Sequence, residues 1–335
     1  MSRRIAVVGG GAWGSALALH LARCGHAVRL WMRETDLVER MRTRGDNPLY
    51  LPGVRFPESV VPDDRLEPVL HDAEIVIAAV PSLYARSVYR EMAPLMAGGV
   101  PLIVATKGIE EGSLALPLEA AGAELGETRP MAALSGPSFA MELAAGKATA
   151  VVVASRDATL AGDIQRICSS GVLRLYTNDD PLGVQVAAAL KNVIAIAAGA
   201  ADSLSMGLNA QAALITRGLA EIARLGVALG ARAETFSGLA GLGDLVLTCA
   251  GELSRNRQVG QRLGRGERLK DIVGERHSVA EGVGTARSAH DLAHRAGVQM
   301  PIVEQVYHVL YEDGSPQEAL ETLMNRPLTA EHHER

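Results

Sequence analysis

The chain has 335 residues, 48% of them hydrophobic and 21% charged, with a formal net charge of −5. That length exceeds what one hydrophobic core usually supports, so two domains are expected. The acidic balance argues against general nucleic-acid binding, which needs a strong positive field, but permits a local basic pocket for an anionic small molecule.

Aromatic residues make up only 3% of the chain, so Ala, Val, Leu and Ile have to build the core, and these suit helices packed on a parallel sheet. Cys24, Cys168 and Cys249 are scattered, lie in no metal-ligand spacing and read as reduced thiols. The first residues run straight into a strand-like segment without a signal-peptide pattern, so a cytoplasmic protein is expected.

The first half alternates apolar runs with amphipathic stretches. Ile5–Val8, Ala27–Trp31, Ile75–Val80, Leu102–Ala105, Met131–Leu134 and Ala150–Ala154 read as short strands buried on both faces. Helical spacing lies between them over Ser15–Cys24, Leu83–Ala93 and Ala115–Leu125. Such alternation implies right-handed βαβ units and a mostly parallel sheet. Gly45–Asp63 contains Asn47-Pro48, Leu51-Pro52-Gly53 and Pro57, and reads as a long loop beside the sheet. Val172–Tyr176 is the last strand.

At Asn178-Asp179-Asp180-Pro181, acidic cap candidates followed by Pro signal a helix start. From there to Leu323 the pattern is helical. The expected class is α/β, with a dinucleotide-binding domain over 1–178 and an all-helical substrate domain over 179–335. Val184–Ala201 is the most apolar stretch, but Gln185, Lys191 and Asn192 interrupt it, so no membrane insertion is expected.

Gly9-Gly10-Gly11-Ala12-Trp13-Gly14 matches G-x-G-x-x-G between a strand and a helix, the context of a Rossmann-type dinucleotide site. Gly9 permits the tight turn, Gly11 lets backbone approach a pyrophosphate, and Gly14 lets helix and strand pack closely. The alternative is an ordinary glycine turn. After the second strand come Met32-Arg33-Glu34. Arg33 suits the 2′-phosphate of NADP, or it is a solvated arginine at a helix start. Glu34 is available to a ribose, so NADPH is favoured without excluding NADH. Three further loops fall at strand ends: Val80-Pro81-Ser82, Thr106-Lys107-Gly108 and Ser135-Gly136-Pro137-Ser138. Lys107 either enters the crevice or is a surface charge.

Lys191 lies in a segment that is apolar nearly all round, which is costly unless the ammonium is compensated or used. Burial would lower its pKa toward a range useful for proton transfer, unless it snorkels out. The glycine-rich run Ser237–Gly243 reads as a loop that delivers Asp244 to the next helix, either as its cap or beside a lysine. Ser254 can cap the following helix and Arg255 can fork onto a phosphate. A solvated basic face, with Arg262, Arg265 and Arg268, competes with that reading. Glu281 sits among small residues, and residues alone leave its role open.

Eight segments in order resemble the bacterial NAD(P)-dependent glycerol-3-phosphate dehydrogenases: GGGAWGSALA, NPLYLPG, TKGIE, LSGPSFAMELAAGKAT, ALKNVIAIAAG, GLAGLGDLVLTC, SRNRQVG and VAEGV. The resemblance implies hydride transfer between NAD(P)H and dihydroxyacetone phosphate to give sn-glycerol 3-phosphate for phospholipid synthesis, in a homodimer. Beside the cofactor-binding turn Gly9, Gly11, Ala12 and Gly14 read from the glycine pattern, it implies dinucleotide contacts from Trp13, Arg33, Lys107, Ala140, Arg255, Val279 and Glu281. It implies triose phosphate contacts from Lys107, Gly136, Ser138, Lys191, Asp244, Ser254, Arg255 and Asn256. Catalysis would fall to Lys191 as proton donor and acceptor, with Lys107 and Asp244. Since the dinucleotide carries the hydride, no metal is expected. A related 3-hydroxyacid or acyl-CoA dehydrogenase is the nearer rival, and a non-catalytic dinucleotide sensor the remoter one.

Overall fold

The computed structural model describes residues 2–274, 280–328 and 330–331. The described residues form ten strands: β1 (Arg4–Val8), β2 (Ala27–Trp31), β3 (Asp46–Asn47), β4 (Leu51–Arg55), β5 (Val60–Asp63), β6 (Ile75–Ala78), β7 (Leu102–Val104), β8 (Met131–Ser135), β9 (Thr149–Ala154) and β10 (Leu173–Asn178). Eight of them make one sheet in the order β10-β9-β8-β7-β6-β1-β2-β5. The six from β8 to β5 are parallel, and β9 with β10 runs the other way against β8. The chain moves outward from β1 through β2 to β5, then returns to β6 on the other side of β1. The carboxyl ends of β1 and β6 therefore open a crevice of the kind that binds ligands in such sheets.

β1 shows why its apolar run is unbroken. Ile5 and Val7 enter the core on one face of the sheet, and Ala6 and Val8 the core on the other. Gly45–Asp63 departs from the loop expected there. It holds the hairpin β3–β4 and the edge strand β5. Pro62 sits within β5, opposite Leu30, and proline is tolerated there because an edge strand has one side without a ladder.

After β10 the described residues form helices and no strand. The first helix, Pro181–Ser203, starts where the Asp180 carboxylate accepts the Gly183 N–H at 2.9 Å. Every residue from Gly183 to Ile196 is buried. By length and composition this helix resembles a membrane span, but 83% of its apolar window is buried inside the protein. Its buried polar groups are used: Gln185 accepts the Leu118 N–H at 2.8 Å and so ties the helix to the sheet half.

The helix Arg255–Gly264 crosses Pro181–Ser203 at backbone contact. A Cβ on Gly199 would lie 1.9 Å from the Arg257 carbonyl oxygen, and one on Gly260 would lie 1.9 Å from that of Ile196. Only glycine at both positions allows this approach. Gly199→Ala should therefore lower stability by about 1–3 kcal/mol through overpacking. Gly162→Ala, in the helix Ala158–Cys168 where a Cβ meets only an arginine tip at 3.6 Å, should raise it by about 0.5–1 kcal/mol. Urea denaturation of the two variants reads both signs, and an unchanged midpoint for Gly199→Ala would disprove the close crossing.

Candidate active site

The glycine turn is built from contacts a side chain would break. Gly9 has φ +116°, and a Cβ there would meet the Ala79 carbonyl oxygen at 2.6 Å. A Cβ on Gly14 would fall 1.9 Å from the Gly9 oxygen, whereas one on Gly11 meets nothing within 4 Å. The first helical bond runs from Ser15 N–H to the Gly11 oxygen, so the N–H groups of Ala12, Trp13 and Gly14 precede the ladder. Trp13 Nε1 is buried without a partner. Open space over Gly11, a free helix N-terminus and an unpaired donor together fit a dinucleotide pyrophosphate.

At the end of β2, Arg33 is exposed, with its guanidinium 5.4 Å from the Tyr84 ring centre. Glu34 is half-buried, and one oxygen of its carboxylate accepts the Tyr50 hydroxyl at 2.8 Å. Three inter-strand spacings, about 14 Å, separate β2 from β7, whose end carries Lys107.

Lys107 follows Thr106, whose hydroxyl donates to the Val80 oxygen at 2.8 Å and ties the ends of β6 and β7 together. From the sheet half, Lys107 Nζ reaches Asp244 Oδ2 at 3.0 Å. From the helical half, Lys191 Nζ reaches Asp244 Oδ1 at 2.5 Å and Thr248 Oγ1 at 2.9 Å. Asp244 and Lys191 are buried. Burial pulls the Lys191 ammonium down to about 8, against the opposing pull of Asp244. Burial pushes the Asp244 carboxyl up, but the two lysines reverse this and hold it below its ordinary value.

The segment before Asp244 differs from the loop expected. Leu239–Gly243 is a π-helical turn that runs directly into the helix Asp244–Ala250. Gly241 makes it possible, since a Cβ there would lie 2.0 Å from the Phe236 oxygen. Asp244 does not cap that helix, because its carboxylate is spent on the two lysines.

Gly136 has φ +142° and packs on Val151, while the Ser138 hydroxyl donates to the Gly136 oxygen at 2.8 Å. Ala140 opens the short helix after that loop. Ser254 is buried and accepts the Arg257 N–H at 3.3 Å, which confirms the expected cap. Asn256 is buried and accepts the Gly282 N–H at 3.0 Å. Arg255 is exposed at the helix start. Burial raises the Glu281 carboxyl, opposed in turn by Arg255, Lys107 and Lys191, which places it beside the lysine site. Val279 lies outside the described residues.

The structure thus brings Lys107, Lys191, Asp244 and Glu281 into one electrostatic neighbourhood and leaves Arg33 at the far end of the crevice. Sequence reasoning missed Thr248, Asn47 and Tyr50. Thr248 had a readable signal, lying four residues after Asp244 on one helix face. Asn47 opens the segment NPLYLPG, but residue order gave it no role: it is fully buried, and its amide donates to the Gly10 oxygen at 3.1 Å and to Ser15 Oγ at 3.0 Å.

Family models for the N-terminus and C-terminus of NAD-dependent glycerol-3-phosphate dehydrogenase match residues 4–161 and 180–321. The chain belongs to this family. A glycerol-3-phosphate dehydrogenase [NAD(P)+] of Geobacter sulfurreducens is 49% identical over 333 residues, covering 99% of each chain. One of Acidobacterium capsulatum is 49% identical over 332 residues, covering 97% of this chain and 98% of its own. The crystal structure of a glycerol-3-phosphate dehydrogenase from Coxiella burnetii superposes with a TM-score of 0.94 at 42% identity, covering 97% of this chain and 99% of that one.

The family's two parts meet at Asp244, which balances a lysine from each. Asp244→Asn leaves two adjacent ammonium groups without a counter-charge, a change that costs about 3–5 kcal/mol for a buried pair. The folded Lys191 value lies below that of the unfolded chain, so the native state binds fewer protons in between and stability rises with pH there. Without Asp244 the lysine falls lower still, so the variant's deficit should shrink as pH rises toward about 8, where Lys191 loses its proton in the wild type too. Thermal melts across pH check this; a deficit independent of pH would show that charge is not its cause.

Proposed function

We propose that the protein interconverts dihydroxyacetone phosphate and sn-glycerol 3-phosphate with NADPH or NADH, NADPH being preferred, and so supplies phospholipid synthesis. The observation that supports this reading is the Lys107–Asp244–Lys191 constellation, its Asp244 and Lys191 buried, in a chain of this family with a glycine turn that fits a dinucleotide. A dinucleotide domain through residue 178, a helical substrate domain from 179, a homodimer and a cytoplasmic location belong to the same reading.

The bound dinucleotide supplies or accepts the hydride at C2 of the substrate. The residues manage charge and proton. As the carbonyl oxygen gains negative charge, the ammonium groups of Lys107 and Lys191 stabilise it, and Lys191 gives it a proton. A value near 8 lets Lys191 donate at neutral pH and accept in the reverse direction. Asp244 and Thr248 hold its Nζ in place. At the other end of the substrate, Arg255, Asn256 and the N-terminus of their helix hold the phosphate, with Ser254 bracing that terminus and Gly136 and Ser138 shaping the opposite wall.

Absorbance of NADPH and NADH with dihydroxyacetone phosphate tests the reaction directly, and a panel of other carbonyl substrates separates it from a hydroxyacid dehydrogenase. Lys191→Met should lower kcat by roughly 10²–10⁴-fold. In the wild type, kcat/KM for ketone reduction should fall as pH rises through about 8, and that for alcohol oxidation should rise through the same range. A Lys191→Met enzyme with near-normal kcat would remove Lys191 as the acid. Arg33→Ala should lower the NADPH preference about three- to tenfold, as expected when one charge-assisted contact to a phosphate is lost. A KM ratio that does not move takes Arg33 out of cofactor choice.

A further inference from the structure

The β3–β4 hairpin touches the cofactor crevice through Tyr50. Its hydroxyl donates to Glu34 Oε1 at 2.8 Å, and its N–H bonds Asn47 Oδ1 at 3.2 Å. Asn47 is itself bonded to the Gly10 oxygen and to Ser15 Oγ. Tyr50 is therefore held in register with the glycine turn, through a fully buried amide. Burial and then the Glu34 carboxylate push the phenol up to about 12, so it stays a donor at any ordinary pH. The positive charges of Arg33 and Arg255 act on the same phenol in the opposite sense.

The end of β2 thus carries adjacent charges of opposite sign. A 2′-phosphate is drawn to Arg33 and repelled by Glu34, whereas a 2′-hydroxyl gains from donating to Glu34. We propose that Tyr50 is a positioning residue for cofactor choice: by engaging the Glu34 carboxylate it lets Arg33, and not Glu34, meet the 2′ position of the adenine ribose. This rests on the dinucleotide site proposed above.

Calorimetric titration of the full chain with 2′,5′-ADP and with 5′-AMP tests it without turnover. Tyr50→Phe frees the carboxylate and should weaken 2′,5′-ADP relative to 5′-AMP about three- to fivefold, the scale of one partly exposed charge contact. Glu34→Gln should shift the ratio by a similar factor the other way. In the Glu34→Gln background, Tyr50→Phe should leave the ratio where it is. A ratio unmoved by Tyr50→Phe, equal weakening of both probes, or the same shift in both backgrounds overturns the proposal. Wild-type protein that binds neither probe overturns the dinucleotide reading, and this proposal with it.

Discussion

A buried carboxylate shared by two lysines is the constraint on which the rest of the site depends. Asp244 is 1% exposed and bonds Lys107 from the sheet half and Lys191 from the helical half. Each charge alone would be costly to hold out of water, and the geometry works only while all three remain together. Two ammonium groups against one carboxylate leave the cluster one positive charge in excess. That excess is useful where a carbonyl oxygen is about to become negative, because the field is in place before the charge appears and no solvent has to reorganise.

Close backbone packing places the cluster. Gly199 and Gly260 let two helices cross in contact, and this seats the start of Arg255–Gly264 beside Lys191's helix. A Cβ on Gly282 would meet the Asn192 oxygen at 2.6 Å and Asn256 Oδ1 at 2.7 Å, so a third helix closes on the same spot. The π turn before Asp244 belongs to this logic. One extra residue in a helical turn shifts the face that follows it, and such turns occur often at functional sites. Glycine at 241 allows the shift, and Asp244 then faces the lysines and leaves its own helix uncapped.

Much of this was legible in residue order. β1 and the glycine turn combine a doubly buried apolar run with a pattern that has a mechanical reason at each glycine, and Lys191 stood out because an ammonium does not belong in an apolar helix. What escaped were features set by register between distant segments. β5 is four residues long and follows Pro48, Pro52 and Pro57, so a rule that treats proline as punctuation hid an edge strand. The Tyr50–Glu34 bond joins residues sixteen apart only because the hairpin folds back over the turn. The π turn was invisible for a related reason: a glycine that destabilises an ordinary helix here leaves room for the Phe236 oxygen, which a Cβ on Gly241 would meet at 2.0 Å, and composition does not distinguish the two.

The two ends of the crevice handle charge by different physics. At the lysine end Asp244 and Lys191 are buried, so effective screening is weak and a single partner changes a proton equilibrium; burial, helped by the neighbouring Lys107, carries Lys191 down to about 8 against the pull of Asp244. Any anion brought next to Lys191 would favour its ammonium form, as Asp244 already does. At the end of β2 Arg33 is exposed, and solvent screens its charge, so a single contact there would be weak. The same sheet thus carries an exposed charge after one strand and, three strands away, a lysine that meets a buried carboxylate, so the two charges are screened very differently.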